Sequence, residues 1–96
     1  MIQEITVIES EILVRLSGAI YVEEAAQIRE SLLGYIDKGN NTFTIDLSDV
    51  EYIDSSGLGT LIAVQKRAQQ NGGRVILQGL KGLVKEVFEL TRLTKA

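Results

Sequence analysis

The stretch of this sequence with the most chemical potential is Asp54-Ser55-Ser56-Gly57-Leu58-Gly59-Thr60. It sets two hydroxyls behind a carboxylate and leads into apolar residues at helical spacing, Leu58, Leu61, Ile62 and Ala68. Two kinds of chemistry suit such residues. One is structural: Asp54 or Ser55 is a natural N-cap, whose side-chain oxygen accepts from an otherwise orphaned N–H of the helix's first turn. The other is phosphoryl acceptance. A helix N-terminus holds unpaired N–H donors and a partial positive charge, so a serine there can carry a phosphate without unfolding its own domain. Such a serine gains about −1.5 to −2 charges, which are forced against any partner covering the turn. Gly57 and Gly59 have no Cβ, so backbone or a ligand can come close. Spacing alone does not choose between the two roles.

Catalysis fits these residues poorly. Histidine and cysteine are both absent, which removes the usual general base, the usual metal ligand and the thiol nucleophile. A nucleophile elbow flanks its serine with glycines, whereas Ser55 lies between Asp54 and Ser56. A phosphoaspartate receiver would gather acids at strand ends around magnesium, with Asp46, Asp49 and Asp54 as members and Lys81 as its lysine; solvated loop acids are the preferred reading. The chain is expected to be no enzyme and to hold neither cofactor nor metal.

The elements that must position the segment follow from pattern. The chain has 96 residues, 45 % hydrophobic and 24 % charged, as one soluble globular domain requires. Apolar and β-branched runs predict strands over residues 5–8 and 12–16, joined by a hairpin turn at Glu9-Ser10-Glu11, with Gly18 ending the second. Ala25, Ile28, Leu32 and Ile36 predict a helix over residues 23–38, with Gly34 inside it. A third strand is expected over residues 42–47, followed by a connecting stretch over residues 48–53. The second helix is expected over residues 55–70 and ends at Asn71-Gly72-Gly73. A fourth strand over residues 74–77 precedes a last helix with Leu83, Val84, Val87, Phe88 and Leu90 as its apolar positions. Tyr35, Phe43 and Phe88 read as core or half-buried aromatics, and Lys66 and Arg67 as solvent-facing. The order ββαβαβα predicts an α/β fold: a small mixed sheet, with an opening antiparallel hairpin and parallel crossover strands, packed by helices.

Charge is uneven along the chain. Residues 1–65 hold 11 acids and three bases, while residues 66–96 hold seven bases and two acids. No aromatic residues interleave with those bases and the net charge is −3, so a solvated surface is the reading, with neither nucleic acid nor membrane as partner. The N-terminus lacks the basic and apolar regions of a signal peptide, and no apolar run reaches membrane-spanning length. A cytoplasmic protein is expected.

Asp46-Leu47-Ser48, followed by the run from Tyr52 through Ile53-Asp54-Ser55-Ser56-Gly57-Leu58-Gly59-Thr60 to Leu61, resembles the core signature of STAS-domain anti-sigma factor antagonists. Gly18, the helix around residues 28–33, Asn71-Gly72-Gly73 and Leu90-Thr91-Arg92-Leu93 extend the resemblance over nearly the whole chain, as one STAS-like domain spanning residues 1–96. The resemblance implies a cycle. The unphosphorylated protein binds an anti-sigma factor that is also a serine kinase and so frees a sigma factor; phosphorylation of Ser55 releases it, and a phosphatase resets it. Partner contacts are then expected from Asp54, Ser56, Gly57, Leu58, Gly59 and Thr60, with Thr60 on the rim, and from Tyr21.

There are two departures. Where relatives carry an acid shortly after the second strand, Gly18-Ala19-Ile20-Tyr21 has a tyrosine. Relatives also continue past the position of Ala96, so a shortened C-terminus is expected. A competing reading is a STAS scaffold or interaction module of a larger regulatory or transporter assembly, never phosphorylated. Either a monomer or a weak dimer is compatible with the sequence.

Overall fold

The computed structural model describes residues 2–91. β1 (Ile2–Ile8) and β2 (Glu11–Ile20) form the hairpin, turning through Glu9, whose φ is 55°. α1 (Val22–Asp37), β3 (Thr42–Ile53), α2 (Ser55–Gln70), β4 (Arg74–Gln78) and α3 (Gly82–Thr91) complete the chain. The four strands lie in the order β1-β2-β3-β4, antiparallel for the first pair and parallel for the other two. The mixed α/β architecture is the one the pattern predicts.

Each parallel pair is joined by a helix. Such crossovers are nearly always right-handed. Both step in the same direction across the sheet, so α1 and α2 share one face and pack on each other. Alternation along β2 turns Ile12, Val14, Leu16 and Ile20 toward that face. Ala25, Ile28, Leu32 and Ile36 form the stripe of α1 that meets them, and Leu58, Leu61, Val64 and Ala68 that of α2. Val84 and Phe88 of α3 join the same core. The opposite face carries Glu4, Thr6, Arg15, Thr44, Asp46 and Gln78 around a shallow open hollow. The Arg15–Asp49 ion pair, 3.2 Å apart, lies exposed and is worth about 0–1 kcal/mol.

Two boundaries differ from expectation for one reason. β3 does not stop at Leu47; residues 48–53 continue it to Ile53. Its buried residues Leu47, Val50 and Ile53 are three apart, which is not strand spacing. The register explains this. Arg15 pairs with Asp46 but Ser17 with Asp49, and Gly18 with Val50 but Ala19 with Tyr52. Each shift places one extra residue in β3, a bulge that returns the next apolar side chain to the core. Gly18 likewise does not end β2; with φ at 81° it takes a backbone bend that side chains resist, and the strand runs on to Ile20.

Among the described residues no helix is long and apolar enough to cross a membrane. The side chains of Leu83, Val87 and Leu90, expected on the inward face of the last helix, lie outside the described residues, as does the Arg92-Leu93 pair.

Candidate functional site

β3 and β2 end side by side, and their ends fix where α2 and α1 begin. The N–H of Asp54 donates to the carbonyl of Ile20 at 3.1 Å, which ties the start of α2 to the end of β2. Asp54 has extended backbone, with φ −94° and ψ −177°, and its Oδ1 accepts from the N–H of Gly57 at 3.0 Å. Its carbonyl accepts from the N–H of Leu58, also at 3.0 Å. Asp54 is therefore the N-cap, worth about 0.5–2 kcal/mol. The choice that the sequence left open between Asp54 and Ser55 resolves to Asp54.

Ser55 is thereby released from capping. It is the first residue of α2, it is exposed, and its hydroxyl bonds to no other described residue within hydrogen-bond reach. It sits at the positive end of a 16-residue helix, where a phosphate is electrostatically favoured. Ser56 follows half-buried.

The residues beyond the serines divide sharply. Gly57 is buried because α2 begins almost in contact with the strand ends. A Cβ there would lie 2.6 Å from Ile53 Cγ1 and 2.8 Å from Ile20 Cγ2. Gly59 is exposed and has nothing within 4 Å of such a Cβ. Leu58 points into the core. Thr60 does not lie on a partner-facing rim: it is 7 % exposed, and its Oγ1 donates to the carbonyl of Ala25 at 3.4 Å, across to α1. Of the seven residues expected to meet a partner beside Ser55, Gly57, Leu58 and Thr60 thus face inward, because α2 turns them onto the sheet and α1. Asp54, Ser56, Gly59 and Tyr21 keep access to solvent.

Tyr21 precedes α1, and its N–H donates to Glu24 Oε1 at 2.9 Å. Its ring packs against Tyr52, with centroids 5.5 Å apart and planes tilted by 40°. Tyr21 is 51 % exposed, Val22 63 % and Tyr52 37 %. Pattern reading missed Tyr52 and Val22. Tyr52 fell in a presumed connector, and its approach to Tyr21 depends on the bulged register of β3. An exposed tyrosine just ahead of the Asp-Ser pair was the available signal.

Asp46, Asp49 and Asp54 do not converge on a common point. Asp46 accepts from the N–H and the hydroxyl of Ser48, which holds its carboxyl below the ordinary carboxylate range. Asp49 pairs with Arg15, and Asp54 caps α2. Among the described residues no group of three or more His, Cys, Asp or Glu is placed to hold a metal ion.

Comparison with known proteins identifies the family and the fold. The STAS domain family model matches residues 3–96. The chain is 34 % identical over 85 residues to the anti-sigma-B factor antagonist of Bacillus subtilis, covering 88 % of this chain and 77 % of that protein. It superposes on Thermotoga maritima TM1081 with a TM-score of 0.90 at 26 % identity, over 97 % of this chain and 80 % of the other. The anti-sigma factor antagonist SpoIIAA shares the fold in two forms. The unphosphorylated form gives a TM-score of 0.81 at 20 % identity, over 99 % of this chain and 100 % of the other. The phosphorylated form of this Bacillus protein gives 0.83 at 23 %, over 97 % and 86 %.

Proposed function

The chain belongs to the STAS domain family, and on that premise we propose that it is an anti-sigma factor antagonist switched at Ser55. The unphosphorylated form binds an anti-sigma factor with serine kinase activity and so frees a sigma factor. The kinase then transfers a phosphoryl group to Ser55, the complex separates, and a phosphatase restores the hydroxyl. The chain acts by binding, in the cytoplasm, and ATP belongs to the kinase.

One observation carries this reading: Asp54 does the capping, which leaves Ser55 exposed on the first turn of α2 with its hydroxyl bonded to none of the other described residues. A serine that capped the helix would have its oxygen engaged. Relatives named anti-sigma factor antagonists support the partner class. The fold shared with SpoIIAA, which exists in phosphorylated and unphosphorylated forms, supports the switch.

The switch works through contact rather than refolding. A surface closed against the Ser55 hydroxyl has neither room nor matched donors for a dianion. Burying an unmatched charge in an interface costs about 2–5 kcal/mol. At about 1.4 kcal/mol per tenfold, binding weakens by roughly thirty- to several thousand-fold.

Ser55→Ala and Ser55→Asp baits in lysate of the native host test this reading. The Ala bait should retain an anti-sigma factor with a kinase domain, identified by mass spectrometry, and the Asp bait should lose it. Equal recovery by both baits leaves a scaffold whose serine is never switched.

A further inference from the structure

We propose that β1 is an interface: it pairs antiparallel with β1 of a second copy of this chain, about a twofold axis at Ile5, and joins the two sheets into one. The inference does not depend on the reading of Ser55.

Among the described residues β1 has a neighbour on one side only, β2. The free edge of such a strand presents N–H and C=O groups that can pair with another chain. The hairpin turn fixes which residues supply them. Only Glu9 and Ser10 separate the closing pair, Ile8 and Glu11. In a two-residue turn the closing residues bond each other, and bonded pairs then alternate along an antiparallel ladder. Residues 4, 6 and 8 therefore direct their backbone groups to β2, while Gln3, Ile5 and Val7 direct theirs outward.

Proteins usually blunt such edges with charge, proline or shortness. β1 has seven residues, no proline and one charged residue, Glu4. Val7 is 50 % exposed and Ile8 51 %, and as neighbours on a strand they point to opposite faces of the sheet. Ile12, opposite Val7 on β2, is fully buried. The helical layer thus stops short of β1 and leaves room beside it for a second chain. The other edge, β4, is shorter and begins at Arg74, whose N–H already donates to the carbonyl of Asn41 at 2.9 Å.

The strand's own sequence names a second copy as the occupant. Twofold pairing at Ile5 sets Ile5 against Ile5, Gln3 against Val7 and Glu4 against Thr6, each from opposite copies. The outward backbone groups of residues 3, 5 and 7 then meet one another, the whole strand is used, and no like charges are opposed. Sliding the copy by two residues one way puts Glu4 directly against Glu4, which is unfavourable. Sliding it the other way carries Gln3 past the end of the opposing strand. The twofold arrangement also keeps both helical layers on the same face of the joined sheet. Ser55 follows β3, two strands in from this edge, so the pairing leaves the Ser55 turn of each copy open. A seven-residue edge is about 24 Å long. That places the contact among small, transient interfaces of under about 1,200 Å², so the dimer is weak and depends on concentration.

Sedimentation equilibrium of the full chain from about 10 µM to about 1 mM should show monomer passing into dimer. Over the same range, NMR should show the amides of residues 3, 5 and 7 shifting and exchanging more slowly with solvent. Those of residues 4, 6 and 8, already bonded to β2, should change little. Thr6 is exposed, so its variants test the register without disturbing the core. Thr6→Glu opposes Glu4 of the other copy twice over and should weaken the dimer about three- to tenfold, whereas Thr6→Lys should tighten it. Thermal melts at the lowest concentration establish that both variants are folded; if either is not, the amide pattern of the unmodified chain decides alone. A monomer throughout the range overturns the proposal. So does a dimer whose concentration-dependent amides lie outside β1, or one that folded Thr6→Glu and Thr6→Lys form equally well.

Discussion

Replacing Gly57 by alanine probes how tightly the segment carrying Ser55 is seated. The added Cβ would stand 2.6 Å from Ile53 Cγ1, 2.8 Å from Ile20 Cγ2 and 3.1 Å from Ile53 Cδ1. Comfortable carbon–carbon contact is about 3.5–4.0 Å, so the neighbours must yield by most of an ångström. Ile20 is fully buried and Ile53 is 3 % exposed, so neither side chain has free space to move into. Overpacking of this kind costs about 1–3 kcal/mol. Contacts under 3.0 Å put this site in the upper part of that range, about 2–3 kcal/mol; removing a glycine from a helix returns up to about 1 kcal/mol, leaving a net loss of about 1–2 kcal/mol. For a domain of this size each kcal/mol moves the melting temperature by about 4–8 °C, so a fall of about 4–15 °C is expected. Gly59 is the internal control. Nothing lies within 4 Å of its added Cβ, so Gly59→Ala should gain about 0.5–1 kcal/mol and melt a few degrees higher. Differential scanning calorimetry of both variants under identical conditions reads the two signs. A Gly57→Ala protein that melts at or above the wild-type temperature refutes the close seating of α2 against the strand ends.

Three other consequences can be measured with the isolated domain. Asp54→Ala removes the side chain that accepts from Gly57 and should cost about 0.5–2 kcal/mol in denaturant melts, with Asp54→Ser recovering most of it. The hydrogen bonds from Ser48 lower the Asp46 pKa below its ordinary 3.8 in the folded state. A depressed carboxylate contributes stability that is present above the unfolded value and is lost as pH falls through the folded one. Asp46→Asn should therefore be less stable than wild type at neutral pH, with the gap narrowing below about pH 4 in acid titrations followed by circular dichroism. In NMR, Ser48→Ala should raise the Asp46 pKa toward 3.8.

Much of this arrangement was legible from side-chain type and period. α2 starts and ends at the predicted residues, because Asp54-Ser55 marks one boundary and Asn71-Gly72 the other. The stripe Ala25-Ile28-Leu32-Ile36 places α1 on the sheet without reference to anything distant. The end of β3 was not legible. Its spacing of three from Leu47 to Val50 to Ile53 matches no regular strand, and only pairing with β2 shows that two bulges absorb the extra residues. Thr60 was misplaced for a related reason. A hydroxyl on a helix reads as solvent-facing until α1 is known to lie against it. The site divides the same way: the Asp54-Ser55 pair is local and could be read, whereas Tyr21 meets Tyr52 only through the register of two parallel strands.

The switch itself is tested most directly by calorimetric titration of the host anti-sigma factor with two preparations of this chain, one unmodified and one phosphorylated at Ser55 alone. A free hydroxyl at an interface predicts tight binding of the unmodified chain and affinity weaker by at least about thirtyfold after phosphorylation, with both preparations equally folded. Equal affinity of the two would contradict Ser55 as the switch, whatever the partner proved to be.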